Sequence, residues 1–246
     1  MYLLGIILLI LVIIYISYHG AIFRKESFQD HDESQSRTFN KCDFDHGVLT
    51  SDQLKDLRDL LSNLMDFCSS KDIDYFGHSG TAIGALRSGG MLPFDDDIDI
   101  GIIRSETDDN QIQTYNDNDY YFTKTSFGYK YKKRNSKMFI DIMVFQLEDD
   151  KYKMINNNFV NNYIYKNELF PLQEHTFNDI KMPFPKNSIS YLNRTFPNWD
   201  TTIKINCGHG EEMGRSSKCI NKVMNIKQEF GVTDYNAKYL CYTPFP

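Results

Sequence analysis

Four aspartates crowd into five residues at Asp95-Asp96-Asp97-Ile98-Asp99, and a single further one, Asp141, interrupts the apolar run Met138-Phe139-Ile140-Asp141-Ile142-Met143-Val144-Phe145. Like charges at such spacing repel, so a face carrying them is expected to bind something positive. A carboxylate buried without a partner costs several kcal/mol, so Asp141 must also meet a cation or a strong donor. Alternation from Asp97 to Ile102 predicts a strand with Asp97 and Asp99 on one face. If that strand lies beside the Asp141 strand, Asp97, Asp99 and Asp141 converge on one edge of a sheet. An all-oxygen donor set with room for water and phosphate suits magnesium or manganese.

The turn upstream extends this chemistry. Gly77-His78-Ser79-Gly80 lets backbone amides approach an anion, Ser79 and Thr81 add hydroxyls, and Arg87 is placed to clamp a phosphate. Each feature has a plain structural alternative: a solvated acidic turn, a glycine turn, a surface arginine. Within some 25 residues they make a conjunction that no single structural role explains. His78 and His175 are candidates for phosphate or acceptor contact, although a lone histidine more often has a structural role. The basic run Lys130, Lys132, Lys133, Arg134, Lys137 either steers an anionic donor or is a solvated strand and loop. Asp141 or Asp95 would take a proton from an acceptor, and Asp96 is assigned to the periphery of the cluster.

The elements that must position these groups follow from periodicity. Thr50-Ser51-Asp52 caps a predicted helix over 51–70, with Leu54, Leu57, Leu60, Leu61, Leu64 and Phe67 on one face. Tyr75-Phe76 reads as a short strand, Thr81 to Ser88 as a short helix ended by Gly89-Gly90, and 138–145 as the most strand-like run in the chain. Residues 47–200 are expected to form one catalytic domain and 201–246 an appended segment.

Residues Tyr2 to Tyr18 carry no charge, and as a helix they would measure about 25 Å, near the lower limit for a membrane span. Residues 1–20 are therefore expected to be an uncleaved anchor and 21–46 a polar stalk. Arg24 and Lys25 after the apolar run argue for a cytosolic body, whereas the sequon Asn193-Arg194-Thr195 has meaning only in a lumen. A single-pass protein of the secretory pathway is expected, with its side undecided. With 33 acidic against 27 basic residues, the net charge of −6 argues against a nucleic-acid partner. The five cysteines form no zinc-type spacing, and Cys207 and Cys219 are either a disulfide or free thiols.

The run Gly80-Thr81-Ala82-Ile83-Gly84-Ala85-Leu86-Arg87, followed by Gly89-Gly90 and Phe94-Asp95-Asp96-Asp97-Ile98-Asp99, resembles the signature of the LicD/fukutin family of nucleotidyltransferase-fold proteins. Leu169-Phe170-Pro171-Leu172 and Phe196-Pro197-Asn198-Trp199 are similar to its downstream motifs. The resemblance implies a mixed α/β sheet flanked by helices. It also implies a phosphotransferase that moves phosphocholine or ribitol phosphate from a CDP-activated donor to a glycan hydroxyl. Asp97 and Asp99 match the family's metal pair, Asp141 its third carboxylate, and Gly80 and Thr81 its donor-phosphate turn. Phe94 departs from the family's usual Trp. Two other readings remain: a type II membrane glycosyltransferase using a nucleotide sugar through Asp-x-Asp, and a tethered binding module without catalysis.

Overall fold

A computed structural model describes residues 49–92, 95–115, 117–155, 162–205, 222–225 and 244–246. The apolar segment 2–18, the stalk, Phe94, Cys207 and Cys219 lie outside the described residues. Among those described, no helix is long and apolar enough to cross a membrane.

Helix α1 (Ser51–Lys71) opens on a capping box, in which the Gln53 amide donates to Thr50 Oγ1 and the Thr50 amide to Gln53 Oε1. It closes at Asp72 in the left-handed conformation. Its buried stripe contains the six predicted residues and Cys68. Strand β1 (Tyr75–Gly77) leads into helix α2 (Ser79–Ile83), which continues as one π turn over Gly84–Ser88. The regular helix expected over 81–88 therefore starts earlier and changes pitch midway. The change occurs where a side chain at Gly84 would put its Cβ 2.4 Å from the Gly90 carbonyl oxygen.

The main sheet runs β1-β2-β5-β4-β3, with β6 and β7 added beyond β5. Its members are β2 (Ile98–Ile103), β3 (Tyr120–Lys124), β4 (Gly128–Lys133), β5 (Phe139–Glu148), β6 (Lys151–Met154) and β7 (Tyr163–Tyr165). Every pairing is antiparallel except β2 with β5, so the fold is a mixed α/β sheet. Helix α3 (Glu106–Thr114) and the β3–β4 hairpin occupy the connection between the two parallel strands.

Alternation along the central strands gives the sheet two chemically different faces. Ile98, Ile100 and Ile102 of β2, Ile140, Ile142 and Val144 of β5, and Tyr129 and Tyr131 of β4 share one face and are buried in the core with the α1 stripe. Asp99, Asp141 and Lys130 share the other face. Two pairs of partners confirm which face α1 covers: Tyr131 bonds Asn63, and Lys133 bonds Asp56 and Asp59.

Helix α4 (Lys166–Leu169), the hairpin of β8 (Gln173–Phe177) and β9 (Ile180–Phe184), helix α5 (Ser188–Thr195) and the pair β10 (Thr202–Ile205) with β11 (Lys222–Asn225) complete the described elements. Phe245 is buried against Phe177, and Arg58 donates to the Pro246 carbonyl. Two glycines allow aromatic rings to lie flat on the backbone. A Cβ on Gly77 would meet the Phe184 ring at 2.2 Å, and one on Gly101 the Phe76 ring at 2.3 Å. Phe76 is fully buried, so the ring has nowhere to go. Gly101→Ala is accordingly expected to cost about 1–3 kcal/mol, read as a lower midpoint in urea with an unchanged slope.

Candidate active site

The in-register parallel pairing sets Asp99 directly opposite Asp141. Asp97, one residue before β2 begins, completes a trio whose carboxylate oxygens lie within 4.8 Å of one another. A second trio, Asp95, Asp96 and Asp97, shares its last member with the first. Asp96, Asp97 and Asp141 are buried, while Asp95 and Asp99 are half-buried. Asp96 is thus buried beside the first trio rather than on the surface. Burial, then repulsion from Asp99, Asp95, Asp141 and Asp96, pushes the Asp97 carboxyl well above the ordinary carboxylate range. Without a cation, the group favours keeping its proton.

The glycine turn holds this cluster from one side. The Gly80 amide donates to Asp99 Oδ2 at 2.9 Å, and Thr81 Oγ1 accepts the Asp99 amide at 2.8 Å. A Cβ on Gly80 would lie 2.5 Å from Asp95 Oδ2 and 3.2 Å from Asp99 Oδ2, so only glycine leaves these carboxylates where they are. The Ser79 amide, at a residue with φ of 41°, donates to the Tyr191 hydroxyl at 3.3 Å. The amides of Ser79 and Gly80 and the Thr81 hydroxyl, expected to face a phosphate, are therefore turned onto protein atoms. In this arrangement they fix the position of Asp99.

His78 is fully buried, stacks on Tyr191 and shares a 2.5 Å hydrogen bond through Nδ1 with its hydroxyl. Burial pushes its pKa down to about 3, so it stays neutral and structural at physiological pH. Tyr191, on α5, belongs to the downstream segment that resembles the LicD/fukutin family, but the sequence assigns it no role. His175, on β8, packs edge-on against Phe184, and burial lowers its pKa.

Arg87, expected to clamp a phosphate, has its Nη1 on backbone carbonyls. It donates to those of Trp199 at 2.6 Å and Thr202 at 3.0 Å and so braces the turn after α5. Burial brings its pKa down to about 10, opposed by Asp95 and Asp200, and it remains charged at neutral pH. Charge-assisted bonds of this kind contribute about 1.5–3 kcal/mol each. Arg87→Gln is expected to lower the melting temperature by several degrees and leave kcat of the folded fraction within about tenfold of wild type. A loss of kcat without a loss of stability would restore the phosphate-clamp role.

Residues 72–187, which carry the glycine turn and Asp95, Asp96, Asp97, Asp99 and Asp141, match the family model for LicD/FKTN/FKRP, nucleotidyltransferase domain. This stretch, just under half of the chain, is a LicD-type domain similar to the LicD/fukutin family. The LicD domain is a transferase domain. An uncharacterized protein of Rickettsia typhi is 30% identical over 164 residues, covering 62% of this chain and 49% of that protein. One of Rickettsia prowazekii is 29% identical over 160 residues, covering 62% and 58%. The chain thus spans about half the length of these curated relatives. Two solved structures of the antibiotic-resistance factor ANT(2'')-Ia, one in solution and one in complex with adenylyl-2''-tobramycin, give TM-scores of 0.38 and 0.37 at 13% identity. They cover 61% and 63% of this chain and 76% and 84% of theirs.

Within the LicD domain the basic run divides between the two faces of the sheet. Lys133 is bound to Asp56 at 2.7 Å and Asp59 at 2.9 Å on the α1 face, which raises its pKa. Lys130 faces the other way, opposite Asp141 in register, with Nζ 3.3 Å from Asp141 Oδ1. The donor set fits a hard divalent cation: the ligand atoms are all oxygen, they converge, and burial and mutual repulsion penalise their charge unless a cation is added.

Proposed function

We propose that this protein is a membrane-anchored, metal-dependent phosphotransferase that moves a phosphorylated group, of the phosphocholine or ribitol-phosphate type, from a CDP-activated donor to a glycan hydroxyl. The observation that carries the reading is the in-register opposition of Asp99 and Asp141 on parallel strands of a LicD domain, with Asp97 beside them. Residues 2–18 supply the anchor in this proposal, residues 21–46 the stalk, and the secretory pathway the setting.

Asp97, Asp99 and Asp141 would hold magnesium or manganese. Such an ion supplies charge neutralisation at the donor diphosphate as its phosphorus–oxygen bond breaks. The protein's own contribution is positioning. Gly80 and Thr81 hold Asp99 from two sides, and Tyr191 fixes the turn that carries them. Asp141 is engaged by Lys130, and Asp97 tends to keep a proton unless a cation is present. Asp95, less buried than Asp96, Asp97 or Asp141, is the carboxylate we assign to accept the acceptor hydroxyl's proton.

The test is calorimetric titration of the full-length chain in mild detergent with CDP-choline, CDP-ribitol and UDP-glucose, each with and without magnesium. An Asp97→Ala, Asp99→Ala double variant is the control. Metal-dependent binding of a CDP compound that disappears in the double variant is the expected result. Binding of UDP-glucose alone would move the assignment to a glycosyltransferase, and no binding by a folded chain would leave a tethered module.

A further inference from the structure

We propose that Lys130 is the built-in counter-charge of the carboxylate cluster: it holds Asp141 while no divalent ion is present and weakens the cluster for a free ion, so that metal is captured together with the donor diphosphate. The inference rests on the metal-site reading above.

Three observations place the ammonium there. Lys130 and Asp141 are register partners on adjacent antiparallel strands, which points both side chains to the same face. Nζ lies 3.3 Å from Asp141 Oδ1 and 3.4 Å from the centroid of the Phe139 ring, a cation held between a carboxylate and a π face. The side chain is only 14% exposed, unlike a surface lysine that swings freely in water. Lys133, three residues on, is spent on Asp56 and Asp59 across the sheet and cannot substitute for it.

The consequence is electrostatic. A divalent ion entering among Asp97, Asp99 and Asp141 must share Asp141 with a fixed positive charge, and both cations sit where water screens them poorly. A bare ion meets this repulsion in full. An ion arriving with a diphosphate brings negative charge that offsets it and gives the ammonium, a compact charge with three donors, a second acceptor. Nucleotide and metal then assist each other's binding by the same factor.

Manganese binding to the full-length chain, followed by the electron paramagnetic resonance signal of free Mn²⁺, tests this without any turnover. Wild type, Lys130→Met, Lys130→Gln and Lys130→Arg are compared with and without CDP-choline. Both uncharged variants are expected to bind Mn²⁺ roughly tenfold more tightly than wild type when no nucleotide is present, within the usual range for coupled sites. Their gain from added CDP-choline shrinks, and Lys130→Arg stays close to wild type. The Gln variant, which keeps a polar group at this position, guards against a Met variant that does not fold. Unchanged or weaker Mn²⁺ binding in the folded uncharged variants overturns the counter-charge role and leaves the metal site standing. Absence of Mn²⁺ binding in wild type overturns the metal site and this role with it.

Discussion

Asp97→Asn is expected to abolish transfer and, in the same protein, to raise the melting temperature of the metal-free form above pH 7. The two effects have one cause. Asp97 is buried beside four other carboxylates, and its native-state pKa is raised first by burial and then by their charge. An unfolded aspartate titrates near 4. Between that value and the raised native one, the folded state binds more protons than the unfolded state, so stability falls as pH rises. The favourable contribution is complete below about pH 4 and gone once pH passes the native pKa. Asparagine does not ionise and escapes this loss, so the difference between variant and wild type grows with pH and then levels off. It also loses a charged metal ligand. If the ion supplies about 4 kcal/mol of transition-state stabilisation, the rate falls about a thousandfold. Melting curves in EDTA from pH 5 to 8, repeated with magnesium, give the readout. Magnesium should stabilise wild type increasingly toward high pH and the variant scarcely at all. A variant less stable than wild type in EDTA at pH 8 would mean that the cluster is not the strained assembly described.

The second large effect belongs to Gly80→Ala. Gly80 takes an ordinary backbone conformation, and the atoms a methyl would meet are carboxylate ends, Asp95 Oδ2 at 2.5 Å and Asp99 Oδ2 at 3.2 Å. Carboxylates at the ends of side chains can swing aside, so the fold survives at little cost. The reacting geometry does not survive, because the Gly80 amide and the Asp99 carboxylate are 2.9 Å apart and the methyl drives that carboxylate away. Misplacement by an ångström is enough for a loss of about a hundredfold in kcat/KM. The melting temperature should move by no more than a few degrees. Gly101→Ala gives the reverse pattern, since its methyl meets the buried Phe76 ring rather than a carboxylate. Measuring both quantities for both variants separates a glycine kept for the site from one kept for packing. Equal losses of stability in the two would remove that distinction.

The parts of this architecture that were legible in the sequence are those set by local periodicity. The α1 stripe, its cap, and the strands around Asp99 and Asp141 need only the 3.6 and 2.0 repeats of their own residues. The opposition of Asp99 and Asp141 was legible as a condition, because two isolated carboxylates in apolar strands require company and each could supply it to the other. Lys130 was not assigned, because its meaning depends on β4 being the strand next to β5 and on a register that local sequence does not specify. The alternation Tyr129, Lys130, Tyr131, Lys132 did carry half the information, since it separates a tyrosine face from a lysine face. The contacts of Arg87 were not legible for a different reason. Backbone carbonyls also accept from a guanidinium, and nothing in residue types reveals that the turn at 199–202 returns to offer them. The same holds for the Gly80 amide, which the fold uses to fix its own carboxylate.

The parallel pairing of β2 with β5 also bears on how the chain reaches this state. Strands β3, β4 and β5 follow one another through short connections and can assemble as a meander, whereas β2 must close a much longer loop to reach β5. Its arrival is the step that brings Asp99 against Asp141, so at neutral pH the chain meets electrostatic repulsion late in folding, when most of its apolar surface is already being buried. Refolding should therefore quicken at mildly acid pH and on addition of a divalent ion, with the acceleration lost in Asp141→Asn. The residues that equip this domain for chemistry would also be the ones that slow its birth, and a cell supplying magnesium would be supplying a folding aid.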